Sequence, residues 1–384
     1  MQTEKMKNFD DIRPLYDSEV PSVIQSLVND PYFRRATEPL IRPLTWEMFS
    51  RSMMACRTIF DFQRSIIHPF MKQLIAKTTS ELSCVGFEKY NDGSSHLYIS
   101  NHRDIVLDAA FLNILLFDRG TDTCEIAIGD NLLIYRWITD LVRLNKSFIV
   151  KRGVSVREML DTSRHLSEYI FDTIANRRQS VWIAQREGRA KDSDDKTQTS
   201  LLKMLTLHNS AKPSEALRSL DIVPLAITYE FDPCDYLKAK EYQLKRDNPE
   251  YRKSQADDIE NMRTGIMGYK GRVSFSFGNR INDTLSQIDP ETGRSEVLEI
   301  AREAIDREIY RNYVFFPINY VAYDLMEKSN TFSAHYTDKD RQFFENYIAG
   351  QIAKIEIPGK DHAFLREKLV EMYGNTVKNF VSVT

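Results

Sequence analysis

Four cysteines in 384 residues, Cys56, Cys84, Cys124 and Cys234, stand far apart. They form neither the close pairs of a metal site nor a disulfide framework, so no metal is expected and a reducing cytoplasm is. A basic excess is also missing. Lys+Arg 52 against Asp+Glu 55 gives a net charge of -3, unlike the basic surface of a dedicated nucleic-acid binder. No window of about 18 uncharged apolar residues occurs, so no transmembrane helix is expected. The best run, Ile105 to Phe117, is short and interrupted by charge. The stretch Met1 to Asp10 lacks the apolar region of a signal peptide. Any membrane contact is therefore expected to be peripheral. Internal repeats and low-complexity tracts are absent too. What remains is a chain 42% hydrophobic, enough for one large or two small domains with a real core.

Residues 9 to 80 read as mostly helical, with apolar residues at three- and four-residue spacing over Pro21–Leu27 and Ile59–Ile75. Pro14, Pro43 and Pro69 are expected to start, stop or kink these helices. Met48, Met53, Met54, Phe60 and Phe62 give either a face packed on the main domain or a greasy surface for a bilayer or acyl chain. From Cys84 the pattern becomes alternating strands and helices. Cys84–Tyr90 and Leu97–Ser100 read as paired strands about an Asn91-Asp92-Gly93 turn. Further strands are expected at Glu125–Ile128, Phe148–Lys151, Val181–Gln185, Ile222–Tyr229 and Arg272–Phe277. Helices are expected at Asp104–Phe117, Leu132–Leu144 and Val156–Ala175, and after Asp289-Pro290 at roughly 294 to 312, 338 to 354 and 361 to 381. This pattern predicts an α/β fold: a mixed, largely parallel sheet flanked by helices. Three parts follow: a helical N-terminal segment (1–80), an α/β domain (81–289) with a charged, exposed helical insertion at about 237–270, and a helical C-terminal segment (290–384).

Four segments carry the chemistry. The first, Tyr98-Ile-Ser-Asn-His-Arg-Asp-Ile-Val-Leu-Asp108, ends an apolar strand in Asn101 and delivers His102, with Asp104 and Asp108 close behind. A histidine beside a carboxylate accepts a proton near neutral pH. The second, Ser147 to Gly153, is a strand ending in Lys151 and Arg152. The third, Trp182 to Asp192, is a strand ending in Gln185-Arg186-Glu187-Gly188-Arg189. The fourth is the apolar strand Ile222-Val223-Pro224-Leu225. Loops after parallel strands build sites on such sheets. Arg152, Arg186 and Arg189 offer forked, charge-assisted hydrogen bonds to a phosphate. The composite points to proton abstraction from a group on a phosphorylated substrate. The remaining histidines (68, 96, 165, 208, 335, 362) have no such context and read as structural. Pro224 reads as architectural, and Asp192, Asp194 and Asp195 as a solvated loop.

In order and spacing, the four segments resemble the glycerolipid acyltransferase superfamily over roughly residues 80 to 235. That family has a histidine and an aspartate separated by four residues, a strand ending in Arg, a Glu-Gly block and an apolar strand with Pro. The resemblance implies an O-acyltransferase of phospholipid synthesis. It would move a fatty acyl group from a thioester, acyl-CoA or acyl-carrier protein, to a hydroxyl of glycerol-3-phosphate or 1-acylglycerol-3-phosphate. His102 would be the base and Asp108 its partner. Lys151, Arg152, Arg186, Glu187, Gly188 and Arg189 would bind the acceptor. Backbone N–H groups at the start of the following helix would offset negative charge. No metal or nucleotide cofactor is implied, no nucleic acid is a partner, and the expected place is the cytoplasmic face of the membrane.

Two departures stand out. Five residues, not four, separate His102 from Asp108. On an ideal helix one extra residue turns the side chain by about 100°. A longer loop before the helix or a π-type bulge would absorb it; otherwise Asp104 takes over, although Asp104 also sits where a helix N-cap belongs. Gln185-Arg186 also replaces the more usual Phe-Pro before Glu-Gly. Other readings are a lyso-aminolipid acceptor without glycerol phosphate, or a non-catalytic lipid-binding protein of the same fold. The His102-Arg103-Asp104 triplet spells a protein kinase catalytic loop. Ala109 stands where that loop needs Asn, and no Asp-Phe-Gly follows, so a kinase is excluded.

Overall fold

The computed structural model describes residues 8–384; residues 1–7, and with them most of the stretch read for a leader, lie outside the described residues. Five helices open the chain: α1 (Val20–Asn29), α2 (Pro31–Thr37), α3 (Trp46–Ala55), α4 (Ile59–Phe62) and α5 (His68–Thr78). α4 and α5 are joined by a π turn at Gln63–Ile67. It stands just before Pro69, where an unbroken α-helix would press the ring on a carbonyl four residues back. Ile24, Leu27, Phe33, Trp46, Phe49, Met53 and Phe62 pack together and close on Leu144.

The strands are β1 (Glu81–Val85), β2 (Leu97–Ser100), β3 (Glu125–Gly129), β4 (Ser147–Val150), β5 (Val181–Ala184), β6 (Ile222–Tyr229) and β7 (Arg272–Phe277). They form one sheet in the order β1-β7-β6-β2-β5-β3-β4. Every pairing is parallel except β6 with β7. This is the mixed, largely parallel α/β sheet expected from the sequence.

One strand expectation fails. Residues 84–90 do not form a hairpin with β2. β1 pairs with β7 at the sheet's edge, and Phe87–Tyr90 is a 3₁₀ turn. Gly86 forces the break: its φ is +78°, and a Cβ there would lie 2.7 Å from the Phe277 carbonyl oxygen. A residue in that conformation cannot continue a strand.

Side-chain alternation along the central strands divides the interior. Leu97, Ile99, Val181 and Ile183 face one core, while Tyr98 and Trp182 face the other. The second core is filled by α6 (Leu107–Asp118), which is apolar on nearly every side and buried between sheet and α5. α7 (Arg136–Leu144), α8 (Val156–Phe171), α9 (Thr199–Leu205) and α10 (Pro213–Arg218) follow, and α8 runs on into a π turn at Asp172–Asn176.

The charged insertion is helical as expected: α11 (Asp235–Asp247) and α12 (Gln255–Met267). It is not simply exposed. Lys238, Glu241, Gln243, Asn261 and Gly265 are buried, as is Lys270 just beyond. Their polar atoms find partners inside the molecule, so charge here marks a polar interior rather than a solvated face.

After α13 (Asn282–Ser286) come α14 (Arg294–Arg311), α15 (Pro317–Glu327), α16 (Asp338–Ala353) and α17 (His362–Val381). α15 carried no clear signal in the sequence. The sequence boundary at 290 does not divide the core: Leu298, Ala301, Ile305 and Ile309 of α14 pack in the first core with Leu97 and Ile222. No helix among the described residues is long and apolar enough to cross a membrane.

Candidate active site

β2 ends at Ser100 in the middle of the sheet, between β5 and β6. The chain then turns through Asn101. Its side-chain amide accepts from Ile227 N–H at 2.7 Å and donates to the Ile227 carbonyl at 2.8 Å. This clamps the loop to the end of β6. His102 follows, on the side of the sheet filled by α6, with its ring edge-on to Trp182 at 5.9 Å between centroids.

His102 Nδ1 lies 2.8 Å from Asp108 Oδ2. The same oxygen accepts the N–H of Arg103 at 2.6 Å and of Asp104 at 3.1 Å. Asp108 is fully buried. A buried carboxylate with such donors stays oriented and holds the imidazole in one tautomer, leaving Nε2 to take a proton. The extra residue between the two is absorbed by the loop: α6 begins only at Leu107, not at 104.

Asp104 does not reach the histidine. Its Oδ1 accepts the N–H groups of Val106 at 2.9 Å and Leu107 at 2.8 Å, so it caps the helix start. Burial, then the charge of Asp108, pushes its carboxyl up. These bonds also correct the expectation for the helix start. The N–H groups of residues 103, 104, 106 and 107 are already taken by Asp104 and Asp108, so none of the four is left for a reacting oxygen.

The acceptor-side residues are brought together in part. Arg152 Nη1 lies 3.3 Å from Glu187 Oε1, joining the ends of β4 and β5. Gly129 makes room: a Cβ there would lie 2.6 Å from Arg152 Nε. Gly188 has φ +70°, which lets the Glu187–Arg189 loop turn tightly. Arg189 Nη2 donates to Asn261 of α12 at 2.9 Å, while its Nη1 is buried without a partner. Arg186, beside Tyr242 of α11, likewise buries its Nε without a partner. Each of these half-buried guanidinium groups thus keeps one buried nitrogen without a partner, and an anion is the ligand such groups suit.

Lys151 departs from this group. Its Nζ lies 2.5 Å from Asp11 Oδ2, and the other oxygen of Asp11 meets His165 Nε2 at 3.0 Å. The cause is the open edge of β4, which the N-terminal stretch covers through Ile149 N–H to the Ile12 carbonyl.

A buried polar layer behind His102 was not visible in the sequence. Asp195, expected in a solvated loop, is 0% exposed. It forms a forked pair with Arg103, accepts the Tyr313 hydroxyl at 2.6 Å, and offers its carbonyl to the Tyr310 hydroxyl. Lys238 of α11 pairs with Asp232 and reaches the Arg103 carbonyl at 3.4 Å. Lys270, fully buried, donates to the Ile266 and Gly268 carbonyls, and burial lowers it to about 8. Segments far apart in sequence thus support the residue next to His102. No group of three or more metal-ligating side chains occurs among the described residues.

Residues 81–228 match the family model "Acyltransferase". No curated protein matches the chain. Among solved structures, a match is the crystal structure of the 1-acyl-sn-glycerophosphate (LPA) acyltransferase PlsC from Thermotoga maritima. It is 11% identical, with a TM-score of 0.36, over 76% of this chain and 93% of that one. The matched span holds His102, Asp108, Arg152 and the Glu187–Arg189 loop, so this part of the chain is similar to the acyltransferases of that family model.

Proposed function

We propose that this acyltransferase moves a fatty acyl group from acyl-CoA or acyl-carrier protein to a hydroxyl of glycerol-3-phosphate or 1-acylglycerol-3-phosphate. The carrying observation is the His102 Nδ1–Asp108 Oδ2 bond at 2.8 Å. His102 Nε2 takes the proton of the acceptor hydroxyl while its oxygen attacks the thioester carbonyl. The tetrahedral adduct collapses with loss of the thiolate, which recovers the proton from Nε2 and leaves as the thiol. Asp108 steadies the imidazolium between the two transfers, as in a Ser-His-Asp triad. No acyl-enzyme forms. Much of the rate comes from holding hydroxyl and thioester together.

Arg152, Arg186 and Arg189 grip the acceptor phosphate, and Glu187 holds Arg152 in place. The open donors on Arg186 and Arg189 support an anionic acceptor over one without phosphate. Tyr32, Leu40, Leu44, Met48, Met54 and Phe60 are exposed on the N-terminal helices and the turns between them, among Arg34, Arg35, Arg42, Arg51 and Arg57. Such a surface supports peripheral seating on an anionic bilayer at the cytoplasmic face, where a lipid acceptor is met.

Incubation with a labelled acyl thioester and a panel of acceptors, with and without phosphate, tests this reading. Label is expected in a phosphate-bearing lipid. His102→Ala should abolish transfer with the fold intact; near-normal turnover would remove the base assignment. Arg189→Ala should mainly raise the acceptor KM. Transfer only to phosphate-free acceptors would overturn the acceptor assignment.

A further inference from the structure

Tyr229 is the last residue of β6, and its hydroxyl is buried without a partner. Asp108 is in the same position on its other side: Oδ2 takes three donors, while Oδ1 is buried with none. Two features bring these groups together. The Asn101 clamp fixes β6 at Ile227, two residues before Tyr229 and on the same strand face, so the end of β6 is tied to the catalytic loop. The Tyr229 ring also packs against Phe111, 6.3 Å between centroids. Phe111 lies one helical turn beyond Asp108 on α6, and residues three apart share a helix face.

We infer that the Tyr229 hydroxyl serves Asp108 Oδ1 and is a positioning residue for the His102–Asp108 pair. This rests on His102 being the base. The groups facing Tyr229 are Asp108, Asp104 and Asp232. Burial first, and then the charges of Asp108 and Asp104, hold the phenol well above its ordinary value. It therefore stays a proton donor throughout the working range. Asp108 in turn faces His102, Arg103, Asp104 and Tyr229. A carboxylate with a donor on each oxygen cannot rotate about its Cβ–Cγ bond without losing one, and so presents Oδ2 to the imidazole in one orientation. Removing the donor on Oδ1 leaves that oxygen buried and unsatisfied, with only the donors on Oδ2 to hold the carboxylate. It also concentrates charge on the carboxylate, which then holds a proton on the imidazole more tightly.

Tyr229→Phe deletes one oxygen and leaves the ring against Phe111. With an acyl-CoA donor and 1-acylglycerol-3-phosphate, kcat should fall about tenfold while both KM values and the thermal melt stay as in the parent. The acid limb of the pH–rate profile should move to higher pH, which a purely structural role would not cause. In an Asp108→Asn background the same change should cost little more, because the two groups act as a unit. Parental kcat and pH profile in Tyr229→Phe, or an equal cost in both backgrounds, would overturn the inference and leave the His102 assignment standing. A near-normal His102→Ala would instead remove the base reading itself.

Discussion

Asp104 and Asp108 are both buried carboxylates within six residues of His102, and only their partners tell them apart. Asp108 joins the imidazole to the backbone of its own loop; Asp104 ties that loop to the start of α6. Conservative substitution separates the two jobs. Asn in place of Asp104 keeps an acceptor oxygen for the Val106 and Leu107 N–H groups, and Asn caps helices about as well as Asp. Asp104→Asn should therefore stay within a few-fold of parental kcat. Asn in place of Asp108 keeps the shape but loses the charge that steadies an imidazolium and fixes the tautomer. Its kcat should drop by roughly 10³ to 10⁴, the scale seen when a triad carboxylate becomes an amide. Steady-state rates of the two variants side by side decide it. Equal losses would mean that Asp104 also acts on the imidazole.

At the scale of elements, strands and their order in sequence were legible because short apolar runs bounded by turn residues are local signals. β3, β4, β5, β6 and β7 fall within about a residue or two of their expected limits, inside the usual uncertainty of element boundaries. The hairpin at 84–90 was misread because alternation does not say which strand is the partner; Gly86 and the edge position of β1 decide that. The His102 segment was legible through its motif. Asp195, Tyr313, Lys238 and Asn261 were not, since each is an ordinary polar residue until the fold buries it beside the site. α12 shows what composition hides. At Gly265 an added Cβ would collide with Asp104 Oδ2. On an exposed helix, Gly→Ala gains about 1 kcal/mol. Against Asp104 the sign should reverse, because overpacking costs about 1 to 3 kcal/mol. Pushing α12 away also pulls Asn261 from Arg189. Gly265→Ala should thus melt lower and raise the acceptor KM. A higher melting temperature with an unchanged KM would show that α12 does not bear on the site.

Across the whole molecule, α14 packs into the core of the sheet rather than into a separate C-terminal unit. Tyr310 of α14 and Tyr313 just beyond it hold Asp195, and Asp195 holds Arg103 beside His102. A second junction lies on α11, where Asp235 Oδ2 accepts the hydroxyls of Tyr347 of α16 at 2.6 Å and Tyr373 of α17 at 2.8 Å. Burial, reinforced by the charge of Asp232, pushes the Asp235 carboxyl up to about 7, even though the two tyrosines oppose the shift. The folded chain therefore keeps a proton that the unfolded chain releases near the ordinary value of 3.8. This group's stabilisation is complete below that value, declines as pH rises, and is lost once pH passes the folded value. The slope is at most about 1.4 kcal/mol per pH unit for one proton. Asn at this position imitates the protonated acid, keeps an acceptor for the tyrosines, and does not titrate. The unfolding free energy of Asp235→Asn relative to the parent should therefore increase steadily from about pH 4.5 to about pH 7 and then level off. Urea titrations of both proteins across that range measure it, and contributions from unaltered groups cancel in the difference. A difference that stays constant with pH would mean that Asp235 is ionised in the folded protein, with the α11–α16–α17 junction held by charge rather than by a neutral acid.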